Sequence, residues 1–358
     1  MSNKFIFDKT ITGDLKGESS WKSPSNIALV KYWGKKDVQI PKNPSLSFTL
    51  SNCFTICKIK FSSSNVSNKT EFELYFEGKK EISFEKKMKV FFERIKVYCP
   101  YLSSLKIIVE TNNSFPHSSG IASSASAYSA LSLCIMDVEK TIDPSLSSDY
   151  FFKKASFLAR LGSGSACRST FGPLVTWGKS NSFNNSSDLF GTKYDNKIHD
   201  NFKNYHDTIL LVDKGKKHMS STLGHALMNH HSFSKDRLIQ VEKNINSLNN
   251  ALCNGDFDEF IKITELEALT LHAMMMTSDP YYLLIKPNTL NIINEIWNFR
   301  KRTSSKVCFT LDAGANIHLL YPKNEFRQIQ SLIENNLIQY CQNNEFINDQ
   351  VGNGPNKL

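Results

Sequence analysis

The sequence predicts an α+β fold in two lobes, and three observations carry that expectation. Segments with a residue period of two are interspersed with segments of helical period. They do not follow strict β–α–β alternation, which disfavours a doubly wound parallel sheet. At 358 residues the chain is long enough for two units of roughly 150 residues each.

In chain order, the apolar run NIALV (26–30) reads as a strand that delivers Lys31, Tyr32 and Trp33 before Gly34 breaks the pattern. IPKNPSLSFTL follows, with Ser45 and Ser47 on one face of a strand. FTLSNCFTICKIKF (48–61) and EFELYFEG (71–78) alternate and are rich in aromatic and β-branched residues, as strands are. Ile82 to Tyr98 has helical character, and SLKIIVET (104–111) returns to strand. From Asn112 a small-residue loop runs into an apolar, helix-compatible stretch ending near Val138. The polar stretch from Lys179 to Asn196 reads as a surface loop and lobe boundary. HDTILLVDKG (206–215) is strand-like, Leu223 to Cys253 helical, and TLNIINEIWNFRKR (289–302) an amphipathic helix with basic residues at its end, as its dipole prefers. KVCFTLDAGANIHLLYP (306–322) reads as two strands around a tight turn. The expected units are residues 1–190 and 191–342, with 343–358 as a polar, partly frayed tail.

A 40% hydrophobic and 22% charged composition is that of a folded globular chain, so collagen-like, disordered and coiled-coil classes are excluded. No run approaches 18 apolar residues, and the first ten lack an apolar signal core, so no membrane span and a cytoplasmic location are expected. Forty-three Lys and Arg against 34 Asp and Glu give +9, which favours anionic partners. The cations are spread along the chain, which points to phosphate-rich small molecules and away from nucleic acid and membrane. The eight cysteines form no CxxC and are expected to be reduced; with no HExxH either, no zinc site is indicated. Cys53 and Cys57 fall on one strand face as small apolar residues.

Four segments could carry chemistry. In FPHSSGIASSASAYSAL, Pro116 and Gly120 shape a turn and Ala122 to Ala127 are all small. Backbone N–H groups there can approach an anion while the following helix points its positive end at it. Ser123, Ser124 and Ser126 add hydroxyls for phosphate or magnesium; the plainer alternative is a Ser-rich helix cap. No GxxxxGK[ST] occurs, so the loop is not a Walker A sequence. In GSGSACRSTFG, Ser163 and Ser165 offer hydroxyls and Arg168 a fork for carboxylate or phosphate; the alternative is a turn with a surface arginine. Lys31, Tyr32 and Trp33 could bind an anion and stack on a ring, or be a core aromatic pair beside a solvated lysine. In LDAGANIHLL, Asp312 stands at a strand end before Gly314, a place for a catalytic carboxylate or for an Asp that shapes the turn. No histidine has a ligand partner at metal spacing; His230 and His231 read as a helix surface or core edge.

Together these segments are far more specific than any one of them. SNIALVKYWGK with NPSLSFTL, PxxxGIASSAS, SGSACRSTFG followed by TW, and LDAGAN, in this order from about Pro24 to Tyr321, resemble the diphosphomevalonate decarboxylase family of the GHMP kinase superfamily. KKHMSSTLGHALMNH stands where that family has an SS-T-G-M segment. The resemblance implies a ribosomal protein S5 domain 2-like N-terminal lobe, a ferredoxin-like C-terminal lobe and an active site in the cleft between them. It implies ATP-dependent conversion of mevalonate 5-diphosphate to isopentenyl diphosphate, with ATP and Mg2+, in a homodimer. Asp312 is then the catalytic carboxylate, Lys31 the cation that holds it ionised, and Arg168 the clamp on the substrate carboxylate. Tyr32, Trp33, Gly34, Lys35, Ser163, Gly164, Ser165, Ala166, Cys167, Arg168 and Thr222 match substrate-binding positions, and Lys86 a phosphate contact. Pro116, Gly120, Ala122, Ser123, Ser124 and Ser126 match the ATP phosphate loop; the metal ligands stay unassigned.

The chain departs from the family pattern at Ala315, where Pro is frequent, at Pro173, where a second Gly is frequent, and at Ala127–Tyr128, which replaces a small pair. None of these removes a charged group. Two alternatives remain at this level. One is a superfamily member that only phosphorylates, or that decarboxylates the monophosphate; the presence of Asp312, Lys31 and Arg168 together argues against the pure kinase. The other is a basic single-strand nucleic-acid binder using Tyr32 and Trp33 for stacking, which scattered charge and the lack of a motif disfavour.

Overall fold

The alternating run at residues 45–63 forms the spine of the first sheet. In the computed structural model, which describes residues 2–11, 13–64, 70–116, 121–215 and 221–358, β1 (Lys16–Val30) leads through the small hairpin β2 (Lys35–Asp37) and β3 (Ile40–Pro41) into β4 (Ser45–Ser63), which pairs antiparallel with β1. From Cys53 to Phe61 every second residue of β4 is buried, so one face meets the core and Cys53 and Cys57 share it. The sheet continues with β5 (Glu71–Phe76), β6 (Lys79–Lys80) and β7 (Leu105–Asn113), while β8 (Leu174–Trp177) pairs β4 and β9 (Thr192–Lys193) pairs β8.

Helices α1 (Ile82–Ile95), α2 (Ser123–Ile142) and α3 (Ser148–Gly162) belong to this lobe. From Ser129 to Glu139 α2 is buried on all sides, as a helix without a polar face must be. Its Leu131, Ile135 and Val138 share a core with Ile59 and Phe61 of β4, Ile107 and Val109 of β7, and Phe157 of α3. Each such side chain contributes about 1.5–3 kcal/mol on leaving water. The two buried acids of α2 are both partnered: Glu139 with Lys154 of α3 at 2.5 Å, and Asp137 with Ser19 and the Trp21 indole.

The second sheet has the order β11-β12-β10-β13, from β10 (His206–Leu210), β11 (Cys308–Thr310), β12 (Ile317–Tyr321) and β13 (Phe346–Gln350), all antiparallel. Helices α4 (Ser221–Leu227), α5 (Ser234–Asn254), α6 (Phe257–Met276), α7 (Pro287–Thr303) and α8 (Phe326–Leu332) accompany it. Ile292, Ile293 and Ile296 of α7 pack with Phe309 and Leu319 of the sheet, and Arg300–Arg302 close the helix as read from sequence. A further core joins the lobes: Ile27, Leu29 and Phe48 of the first sheet pack with Ile209, Val241 and Phe260 of the second lobe. The architecture is a two-lobed α+β fold, one lobe built on each sheet.

Two expectations need correcting. The tail is not frayed: β13 pairs with β10, and β14 (Asn356–Lys357) pairs with β1 at Trp21 and Lys22. The reason is the buried Asp349, whose carboxylate accepts the backbone N–H groups of Ser51, Asn52 and Cys53 at 2.7–2.9 Å. The stretch from Lys179 to Asn196 is also more than a surface loop. Phe183 and Phe190 anchor it in the core, and β9 adds it to the first sheet.

Candidate active site

Two strand ends, one from each sheet, meet at the centre of the molecule. Lys31 follows β1, and its ammonium lies 3.1 Å from Asp312, in the turn between β11 and β12. Lys31 is 2% exposed, which overturns the solvated-lysine alternative, whereas the Asp312 side chain keeps about a third of its surface. Lys31 Nζ also donates to the Ala28 carbonyl at 2.6 Å, so its aim is fixed by its own strand. Burial alone would raise the Asp312 carboxyl; Lys31, His318 and Arg168 outweigh it and hold the group below the ordinary carboxylate range. The site thus presents an ionised carboxylate that is anchored on one side and reachable on the other.

The segment carrying Lys31 is held by buried polar groups that the sequence reading did not single out. Lys31 N–H donates to Glu267 Oε2 on α6 at 2.8 Å, and its carbonyl accepts from Asn43 and Arg237. Glu267 is itself gripped by both terminal nitrogens of Arg237, at 2.7 and 2.6 Å, and by Asn244. Asn43 Oδ1 takes the Trp33 N–H. The available signal was weak: Glu267 is one of four acids on α6, and Asn43 merely precedes Pro44.

Arg168 lies in a 3-10 turn, Gly164–Thr170, that follows α3. Its Nη1 donates to Ser45 Oγ at 2.7 Å and its Nε to Asn26 Oδ1 at 3.3 Å, and it lies against Trp177. It is 3% exposed and not a surface arginine. Asn26 in turn donates to Ser169 and to the Ser165 carbonyl, which fixes the turn against β1. Gly164 is required here, because a Cβ would sit 2.7 Å from the Tyr32 hydroxyl. Ser163 and Ser165 stay partly exposed, while Ala166 and Cys167 are buried scaffold, the Cys167 carbonyl accepting from Ser156 and Thr170.

The start of α2 lies beside this turn. Ala122, its N-cap, sits in the left-handed region at φ 49°, and its methyl cannot cap the first N–H groups of the helix. That fits an anion at a helix N-terminus. Ser124 is exposed and Ser123 half-buried, and Ser124 Oγ lies 3.4 Å from Ser163 Oγ. Ser126 does not join them. It is buried, with its hydroxyl shared between Thr55 Oγ1 and the Ser123 carbonyl, because three residues along a helix turn it toward the sheet. Pro116 is exposed; Gly120 and the Thr222 side chain lie outside the described residues. Among the described residues no cluster of three or more His, Cys, Asp or Glu could hold a metal ion.

Tyr32 and Trp33 are engaged internally and not displayed for bases. Tyr32 stacks on His225 and meets Trp177 edge-on, and Trp33 is 5% exposed among Leu271, Met274 and Met275. Lys35 is half-buried, and burial, then the neighbouring Arg94, pushes its ammonium down to about 8. Lys86 lies on the exposed side of α1.

A family model described as the diphosphomevalonate decarboxylase-like N-terminal domain matches residues 23–189, and one described as the mevalonate 5-diphosphate decarboxylase C-terminal domain matches residues 208–356. The diphosphomevalonate decarboxylase of Ganoderma lucidum is 30% identical over 349 residues, covering 92% of this chain and 84% of its own length. That of Saccharomyces cerevisiae is 30% identical over 321 residues, covering 84% and 76%. The solved mevalonate diphosphate decarboxylase from Staphylococcus aureus superposes with a TM-score of 0.81 at 26% identity, over 96% of this chain and 98% of that one. A structure described as MDDEF in complex with MVAPP, AMPPCP and magnesium gives the same TM-score and identity, over 96% and 99%. With both lobes matched and the Lys31–Asp312 pair in place, the chain belongs to the diphosphomevalonate decarboxylase family.

Proposed function

We propose that the protein catalyses the ATP-dependent decarboxylation of mevalonate 5-diphosphate to isopentenyl diphosphate, releasing carbon dioxide, ADP and phosphate. The carrying observation is the Lys31–Asp312 pair, contributed by two sheets and set 3.1 Å apart within the field of Arg168. ATP supplies the phosphoryl group that makes the tertiary 3-hydroxyl a leaving group, and Mg2+, when bound, would offset the charge of its phosphates. Asp312 orients that hydroxyl or takes its proton, and its charge then favours positive character at C3 as the C–O bond breaks. Lys31 keeps Asp312 ionised. Arg168, steadied by Asn26 and Ser45, holds the substrate carboxylate so that the C1–C2 bond breaks and its electron pair becomes the alkene. Tyr32, Lys35, Ser163, Ser165 and Thr222 are assigned to the diphosphate side, and the start of α2 with Ser123 and Ser124 to the nucleotide phosphates.

Product analysis after incubation with ATP, Mg2+ and either mevalonate 5-phosphate or 5-diphosphate tests the reading. Carbon dioxide and isopentenyl diphosphate from the diphosphate support it; ADP without carbon dioxide would mean a kinase, and preference for the monophosphate a phosphomevalonate decarboxylase. The reading includes a cytoplasmic homodimer with lobes at residues 1–190 and 191–342. On α6, Leu266, Leu269 and Met276 are 37–43% exposed and offer a second copy an apolar face. Light scattering at about twice the 40.7 kDa chain mass is the expected result.

A further inference from the structure

The turn that follows Lys31 has one buried backbone donor whose partner comes from the other lobe. Gly34 is buried, and its N–H donates to Nδ1 of His225, on α4, at 3.0 Å. A buried N–H must find an acceptor, so this bond is part of what keeps the turn closed. The Gly34 carbonyl accepts from Lys42 N–H, and at φ +94° any Cβ would lie 2.9 Å from Lys42 Cδ and 3.0 Å from Met228 Cβ. The turn is thus packed directly against the segment that carries His225.

The imidazole is 6% exposed, stacks on Tyr32 at 4.3 Å and 26°, and meets Trp33 at 4.4 Å and 43°. With Nδ1 accepting, the ring proton sits on Nε2 in the neutral form. Burial, and next the Lys35 ammonium, keep the ring from protonating until well below the usual histidine range. One neutral ring therefore touches three consecutive residues of the turn, 32–34, and holds them to a helix that also carries Thr222. Those are the two segments assigned above to the diphosphate of the substrate, one from each lobe. The SS-T-G-M segment that this stretch resembles ends in Met, and a thioether is only a weak acceptor.

We propose that His225 is a positioning residue for the diphosphate substrate, an imidazole latch that holds the Tyr32–Lys35 turn against α4 at the spacing the substrate needs. The inference rests on the decarboxylase reading. Its test compares His225→Met and His225→Phe, which lack the acceptor, with His225→Asn, whose Oδ1 can replace Nδ1. Calorimetry with mevalonate 5-diphosphate alone, and steady-state kinetics with ATP, supply the readouts. Loss of one such bond predicts a three- to tenfold rise, on that order, in Kd and KM for mevalonate 5-diphosphate in the Met and Phe variants. KM for ATP should hold steady, and Asn should recover most of the affinity. A merely structural role would instead lower the active fraction and leave KM alone. Should His225→Met not fold, His225→Phe keeps the stack on Tyr32 and carries the test. Folded Met or Phe protein with unchanged Kd and KM overturns the proposal, as does failure of both variants to fold. Wild-type protein that releases no carbon dioxide would overturn the decarboxylase reading itself, which is a separate outcome.

Discussion

Ser124 Oγ and Ser163 Oγ lie 3.4 Å apart, although 39 residues separate them in sequence. The first belongs to the opening turn of α2 and the second is the C-cap of α3. The segments proposed above for the nucleotide phosphates and for the substrate therefore share a wall. A phosphoryl donor and an acceptor hydroxyl held on such neighbouring supports need little further movement to react.

Replacing Asp312 by Asn separates chemistry from architecture. Asn Oδ1 can still accept from the buried Lys31 ammonium and can still shape the turn before Gly314, so the thermal midpoint should move little. The base and the negative charge are both gone, and carbon dioxide release should fall by about a hundredfold or more. Near-normal release from folded Asp312→Asn protein would remove the aspartate from the mechanism.

Lys35 supplies a pH dependence with a definite sign. Burial, then Arg94, pushes its ammonium down to about 8, so the free enzyme loses this charge as pH rises through that value. An anionic substrate favours the charged form, and kcat/KM should decline above about pH 8. Lys35→Arg should carry that limb upward, because a guanidinium stays charged. In stability terms the depressed value is a cost, fully present below about pH 8, which fades as pH rises toward the ordinary lysine value. A pH profile of kcat/KM for both proteins decides; an alkaline limb left in place in Lys35→Arg assigns it to another group.

Arg168→Lys keeps the charge but loses the planar fork that Ser45 and Asn26 hold in place. Turnover should suffer more than substrate binding, by about tenfold or more, in line with one lost charge-assisted bond of about 1.5–3 kcal/mol. Ser45→Ala should show a weaker version of the same kcat effect. Equal kcat in wild type and Arg168→Lys would rule out the carboxylate clamp.

Tyr128 occupies a position where the family resemblance leads one to expect a small residue, and Gly162 accommodates it. A Cβ on Gly162 would stand 2.3 Å from the Tyr128 ring, which also packs on Phe91. Gly162→Ala should cost about 1–3 kcal/mol in a urea melt, the usual range for overpacking. In a Tyr128→Ala background the same change should be neutral or favourable, since Ala is the better helix former by about 1 kcal/mol. Simple additivity in this double-mutant cycle would refute the coupling.

The strands and the Asp312 turn were legible because local pattern decides them: alternation from Cys53 to Phe61 already dictates which side chains share the buried face. Local pattern left Lys31 open, since a lysine at a strand end is solvated unless a carboxylate 281 residues away takes it up, and only the family resemblance paired it with Asp312. Glu267 escaped for the same reason, its role being set by Lys31 and Arg237 from elsewhere in the chain. Ser126 belongs to the right loop, but only the helix phase shows that its hydroxyl turns inward. The tail misled because polar composition reads as solvated; Asp349 instead satisfies backbone donors in the bend of β4.

That last bond also sets a clock on synthesis. Asp349 lies 298 residues after Ser51, whose N–H it accepts. At roughly 5–20 residues per second, about 15–60 s elapse on the ribosome between the two. Throughout that interval water or a chaperone must satisfy the donors at residues 51–53, and the edge of β1 that receives β14 stays bare. The N-terminal lobe of a nascent chain is therefore left waiting for its final polar contacts, whereas a full-length chain refolding from denaturant has them at hand from the start.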